Sequence, residues 1–320
     1  MNNQRERTFL LFDVATGERS WRGLWILLGV YLGAIVFSAI VSPWVYWLVQ
    51  VWANATPNEL NTYLARKSFD DYFDRLRWVP VLLSLPWIMR VCGLLSWERL
   101  GVSLDKRSLF AWIRWFLLGC FVVGIAAWIQ CVFTQVDAKS GLTWLSGLGI
   151  IFKALAGGLI LGFLEETVFR GLIFRLFYTA LTPLWAVILS SAFFAYTHFK
   201  MPGAVWDATD QVVSWKSGFF VGFWTLLGIT QNFELLAFVN LWALGVLLCL
   251  IFMRFRSLLP CMGFHAGIVA LLLSYKKLFV IHDDPLRWLL GSGKMIDGSV
   301  PLVLLSGLIL FMVFSQKKGA

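Results

Sequence analysis

Apolar residues in this chain run in long blocks separated by short polar stretches, without the strict alternation that marks half-buried strands. A helix rises 1.5 Å per residue, so about 20 apolar residues cross a hydrocarbon layer roughly 30 Å thick. Blocks near that length predict helices over Leu24 to Val51, Trp78 to Leu95, Leu109 to Phe133, Leu148 to Tyr178, Leu184 to His198, Gly218 to Ile229, Leu235 to Phe252, Leu258 to Leu273 and Val300 to Phe314. The expected fold class is all-α, a polytopic transmembrane bundle of about eight to nine helices. The count turns on the Gly218 block, which is too short to span unless it begins near Val212 and otherwise reads as a re-entrant or tilted piece.

The blocks divide the chain into a polar N-terminal segment (1–23), N-terminal transmembrane helices (24–147), a core carrying the chemistry (148–275), and a loop with a final helix (276–320). Three connections, Trp52 to Arg77, Phe199 to Ser217 and Ser274 to Ser299, are long and read as surface loops. The first segment holds Arg5, Arg7, Arg19 and Arg22, and the apolar block after it is too long for a signal-peptide core and lacks a cleavage site, so it stays as the first span. With all nine blocks spanning, both sides carry similar numbers of Lys and Arg, and the positive-inside rule gives no orientation. No internal repeat is visible.

Composition strengthens the membrane reading: 59% of the 320 residues are hydrophobic and 14% charged, with 18 Trp and 28 Phe, more apolar surface than a soluble core of this length hides. The net charge of +9 comes from basic residues scattered between the blocks, with no stripe that would follow a nucleic-acid backbone. Cys92, Cys120, Cys131, Cys249 and Cys261 all lie in apolar blocks and imply no bridge.

Against this background the run Gly162-Phe-Leu-Glu-Glu-Thr-Val-Phe-Arg170 stands out. An ionisable group at a membrane helix centre costs about 2.5–3.5 kcal/mol on insertion scales, so three together need a reason. Glu166 and Arg170 are four apart, on one helix face and in the better order for an ion pair, whereas Glu165 points about 100° away. Gly158 and Gly162 continue the Glu166 stripe and let that face approach a neighbouring helix. A lone pair would be ordinary neutralisation at a helix interface. A second adjacent carboxylate suits a general base acting on water.

Three histidines occur. His282, beside Asp283, Asp284 and Pro285, reads as a solvated turn residue; His198 and His265 lie within apolar blocks, where a single histidine is usually a packing residue. Depth argues otherwise. If the fourth helix ends near Tyr178 and the fifth begins near Pro183, Glu165 and His198 lie roughly 20 and 22 Å from one membrane face, and His265 lies roughly 10 Å from the opposite one. All three then share a layer. Carboxylates and imidazoles meeting in a dry site offer either water attack on a carbonyl with imidazole donors at the oxyanion, or a divalent metal that acidifies its water.

The order Glu165-Glu166-x-x-x-Arg170, then Phe194-x-x-x-His198, then His265 after Arg256-Ser-Leu-Leu-Pro260 resembles the CAAX prenyl protease and bacteriocin-processing (CPBP, Abi) family of intramembrane proteases, over residues 148 to 275. The resemblance implies that Glu165 is the water-activating base, Glu166 and Arg170 its supporting pair, His198 a partner of the water and His265 part of the oxyanion hole. It implies an endopeptidase acting on a membrane-anchored or lipidated protein or peptide, in an integral multi-pass protein of the cell membrane surrounded by lipid.

One position departs from the family pattern: Val269 stands where Asn or Asp commonly follows the last histidine by four residues, and Asn240 lies near the start of its helix at another depth. A lost oxyanion donor typically costs about 10²–10³ in rate. The alternative is therefore a non-catalytic membrane scaffold or bacteriocin-immunity factor retaining the family core. A proton-relaying transporter is a third reading, without the inverted repeats that would support it. No His-Glu-x-x-His, Gly-x-Ser-Gly or Gly-x-Gly-Asp motif points to another protease class. The expected mechanism is metal-free, with zinc held through Glu166, His198 and His265 left open. Cys261, on the face of His265, is a further potential ligand but more simply packing.

Overall fold

The computed structural model describes residues 21–199, 212–231, 234–282 and 285–317. Most of the polar N-terminal segment and most of the 199–217 connection lie outside the described residues. In chain order the elements are α1 (Arg22–Ala55), α2 (Glu59–Ala65), α3 (Phe69–Leu76), α4 (Trp78–Val91), α5 (Trp97–Leu100), α6 (Lys106–Phe133), β1 (Val136–Ala138), α7 (Trp144–Val168), a π-helical turn (Phe169–Ile173), α8 (Phe174–Ala180), α9 (Pro183–Thr197), α10 (Ser217–Gln231), α11 (Leu235–Phe255), α12 (Leu258–Leu278), β2 (Phe279–Ile281), α13 (Arg287–Leu290) and α14 (Ser299–Lys317).

Each apolar block is helical, and the protein is almost entirely helical. Among the described residues, five stretches are long and apolar enough to cross a membrane: Arg22–Ala55, Lys106–Phe133, Trp144–Ala180, Leu235–Phe255 and Leu258–Leu278. These fit a polytopic membrane protein, but a count of eight or nine spans does not follow, because Pro183–Thr197, Ser217–Leu227 and Ser299–Ser315 are shorter. α10 begins at Ser217, and Val212 stands outside it.

Two of the expected loops contain structure. The first holds α2 and α3; Asn58 and Asn61 cap the start of α2 reciprocally, side chain to backbone. The last holds the final turn of α12 and β2, which pairs antiparallel with β1 in the register Val136↔Ile281, Asp137↔Val280 and Ala138↔Phe279. A three-residue strand pair carries too little periodic pattern to be read from the chain. His282 does stand exposed there, its Nε2 2.9 Å from Oδ2 of Asp137.

The chain forms two compact units. Of the described residues, one comprises 93–195, 234–282 and 285–317, the other 21–92, 196–199 and 212–231. In the second, Ile35 and Ala39 of α1 pack with Phe69, Phe73 and Val221, and the Ser38 hydroxyl donates to the Phe73 carbonyl.

In the first unit α12 is wedged between α6 and α7, and glycines set the distance on both sides. A Cβ on Gly119 of α6 would lie 2.2 Å from the Phe264 carbonyl oxygen, and one on Gly267 would lie 2.1 Å from that of Phe116. On the other side a Cβ on Gly158 would lie 2.7 Å from the Ala266 oxygen, and one on Gly162 would lie 2.9 Å from the Ala266 nitrogen. Helices inside a bilayer gain little from excluding water, so such backbone-to-backbone packing is what holds them. The glycine face that predicted a close neighbour has one, and the neighbour carries His265. At the start of α6, Asp105 accepts from the backbone N–H groups of Arg107 and Ser108; with the Ser103 hydroxyl as the largest cause, these bonds hold its carboxyl down at about 2.

Candidate active site

Glu165 and Glu166 lie in the last turn of α7, and Arg170 lies in the π-helical turn that follows. In that turn the Phe174 N–H reaches back five residues to the Phe169 carbonyl, which widens the helix just past the carboxylates. Gly171 sits within it, where an added Cβ would lie 3.3 Å from the Leu100 and Leu258 side chains. Nothing in the apolar pattern marks the change of helix type.

Glu166 is fully buried, and Arg170 is 1% exposed. The Arg170 Nη1 donates to Oε1 of Glu166 at 2.7 Å, the expected pairing across one helical turn. Its Nη2 donates to the Gly245 carbonyl at 3.3 Å. α11 comes this close because Gly245 rests on Ser191 of α9, where a Cβ would meet the Ser191 Cβ at 2.8 Å. The guanidinium also lies 4.5 Å from the centroid of the Phe194 ring.

His265, one helix away, brings Nδ1 to 2.7 Å from the same Oε1 of Glu166 and Nε2 to 3.8 Å from Oε2 of Glu165. The imidazole is 4% exposed and packs edge to face against Phe194, with centroids 6.1 Å apart. Glu165 keeps 24% of its side chain exposed. One carboxylate is thus sealed against Arg170 and His265, and the adjacent one stands at the edge of the cluster. The structure brings Glu165, Glu166, Arg170 and His265 together. His198 stands exposed one residue beyond α9, in the second unit.

Gly245 and Phe194 are parts of this cluster that the sequence reading assigned no such place. Phe194 entered only as a motif position, and a backbone carbonyl leaves no trace in a residue pattern. Val269, one turn after His265, is half-buried and brings no hydrogen-bonding group. Asn240 does not substitute for it: its amide nitrogen donates to the carbonyls of Leu236, Ile296 and Gly298.

The zinc site left open through Glu166, His198 and His265 is corrected by the structure. Among the described residues no three His, Cys, Asp or Glu side chains are grouped to hold a metal ion. Oε1 of Glu166 already serves both Arg170 and Nδ1 of His265, and the Cys261 thiol is turned to the Leu248 carbonyl at 3.4 Å. A ligand set needs oxygen and nitrogen lone pairs converging on one point, and Nδ1 of His265 and Oε1 of Glu166 are engaged with each other in a hydrogen bond.

Neither a curated protein nor a solved structure matches the chain. Residues 147–271 match the family model described as type II CAAX prenyl endopeptidase Rce1-like. The matched stretch contains all four clustered side chains and agrees within a few residues with the segment on which the resemblance rests. Helices α7 to α12, with their buried Glu and His network, therefore carry a CAAX-protease-like (Rce1-like) domain of the broader CAAX/Abi protease superfamily.

Proposed function

We propose that this protein is an intramembrane endopeptidase of the cell membrane, hydrolysing a peptide bond in a membrane-anchored or prenylated protein or peptide by water that Glu165 activates. The observation that carries the reading is the chain of contacts Arg170 to Glu166 to His265 to Glu165. Arg170 compensates the buried charge of Glu166. Glu166 then accepts from Nδ1 of His265, which fixes the ring and turns Nε2 toward Glu165.

Glu165 is the partly accessible carboxylate, so it takes the proton as water adds to the scissile carbonyl, and returns it to the departing amine. With Nδ1–H held on Glu166, the ring offers a donor to the oxyanion at Nε2 when it carries a proton on both nitrogens, between the carboxylates of Glu166 and Glu165. The family resemblance gives His198 the place of partner to the water. Glu166 and Arg170 act through the ring and are positioning residues.

The second reading, a non-catalytic scaffold or immunity factor, is favoured by Val269, which presents only methyl groups where the family pattern supplies a donor. The two are separated by incubating detergent-purified protein with prenylated and unprenylated reporter peptides. Cleavage by the parent chain and none by a folded Glu165→Gln variant supports the enzyme; equal turnover by both removes Glu165 as the base.

A further inference from the structure

Arg170 is gripped between two other helices of the first unit, α9 and α11. Its guanidinium stands 4.5 Å from the ring centroid of Phe194 on α9, and its Nη2 donates to the Gly245 carbonyl of α11 at 3.3 Å. The two helices are stitched together along one face of α11, at positions three and four apart. The Trp242 indole N–H donates to the Ile188 carbonyl at 3.1 Å, Gly245 rests on Ser191, and the Cys249 thiol lies 3.8 Å from the Ser191 hydroxyl. Ser191 stands one turn before Phe194, and Gly245 is the residue whose carbonyl Arg170 uses. The tightest point of the seam is thus next to the grip on the arginine.

The spacing there has no slack. A Cβ on Gly245 would lie 2.8 Å from Cβ of Ser191 and 3.0 Å from its Cα, where carbon atoms in ordinary contact keep about 3.5–4.0 Å. Any larger residue therefore pushes α11 away from α9. The Nη2 bond, at 3.3 Å, is already at the long end for a hydrogen bond and does not survive that displacement. If the guanidinium follows the carbonyl it leaves Phe194, and if it stays on Phe194 it loses the carbonyl. In both cases Nη1 shifts against Oε1 of Glu166, the atom that Nδ1 of His265 also uses.

We infer that Gly245 and Ser191 are positioning residues of the site: the width of the α9–α11 contact fixes Arg170, and through Arg170 and Glu166 it fixes the His265 ring. Neither residue touches the reacting atoms. Arg170 would compensate the charge of Glu166 without them, so what the seam contributes is geometry. The effect on turnover rests on the endopeptidase reading; the effect on the ring does not.

The test uses the full chain in detergent, labelled with ¹⁵N-histidine. Three histidines occur, and the buried Nδ1–H of His265 on a carboxylate gives a proton signal far downfield, assigned by its loss in His265→Gln. Gly245→Ala should move or broaden that signal. Adding Ser191→Gly removes the Cβ and hydroxyl that the new methyl meets, and should return it. In the reporter assay Gly245→Ala should lower kcat about 10-fold with KM within about twofold, and the double variant should recover most of the loss. If Gly245→Ala does not fold, Trp242→Phe loosens the seam without adding bulk and should move the same signal. A parental signal in either folded variant, no return with Ser191→Gly, or a loss confined to KM would each overturn the inference. A signal that moves and returns in a chain that cleaves no reporter upholds the positioning and overturns only the endopeptidase reading.

Discussion

Nδ1 of His265 and Oε1 of Glu166 lie 2.7 Å apart, across an interface where the backbones of α12 and α7 meet at glycine. The bond joins residues 99 positions apart and is buried at both ends. It depends on the glycines as much as on the two polar side chains, because a histidine this short reaches a carboxylate on another helix only if the helices touch.

The packing should therefore fail in a position-specific way. Gly162→Val drives a Cβ to 2.9 Å from the Ala266 nitrogen, and overpacking of this kind costs about 1–3 kcal/mol. Gly149→Ala, on the same helix but with nothing within 4 Å of the added carbon, should be neutral or slightly stabilising. Thermal unfolding of both in one detergent checks the contrast, and equal losses would deny that the α7–α12 contact governs stability.

Arg170 should be needed for folding as well as activity. Arg170→Ala leaves the buried Glu166 charge without its cation, and breaking a buried pair costs about 3–5 kcal/mol. Low yield and a depressed Tm are expected. A variant with parental yield and Tm would show that the pair contributes little.

Glu165→Gln should separate chemistry from structure. Gln keeps the size and much of the hydrogen bonding but cannot accept a proton from water. The expected result is parental stability or better with turnover reduced by about 10²-fold or more, general-base catalysis being worth roughly 10²–10⁴. The measurement is reporter cleavage beside an unfolding curve. Parental turnover would remove the mechanism.

Val269→Asn tests the departure from the family pattern. An amide one turn after His265 offers N–H donors on the same helix face, and an oxyanion donor is typically worth about 10²–10³ in rate. A rise in kcat with little change in KM is expected. No rise would place the oxyanion elsewhere or argue against acyl chemistry.

The residues of the cluster were legible in the chain because lipid is an unforgiving solvent. Carboxylates, an arginine and a histidine inside apolar blocks need partners, and the four-residue spacings of Gly158, Gly162, Glu166 and Arg170 mark which face must be covered. The helices were legible for the same reason, since blocks near 20 apolar residues admit little else.

What only the tertiary structure decided is which groups meet. Depth arithmetic puts His265 in the layer of Glu165 and the four-residue spacing pairs Glu166 with Arg170, but that Nδ1 of the ring lands on the same Glu166 oxygen follows from the wedging of α12 against α7. The same wedging engages Nδ1 of His265 with Oε1 of Glu166, and among the described residues no three ligand side chains are grouped to hold a metal. The π-helical turn, the ring of Phe194 over Arg170 and the Gly245 carbonyl behind it arise from contacts far apart in sequence. Residue type and spacing encode the periodicity of one helix; the angle and closeness between two helices depend on every side chain packed between them, and no local pattern carries that sum.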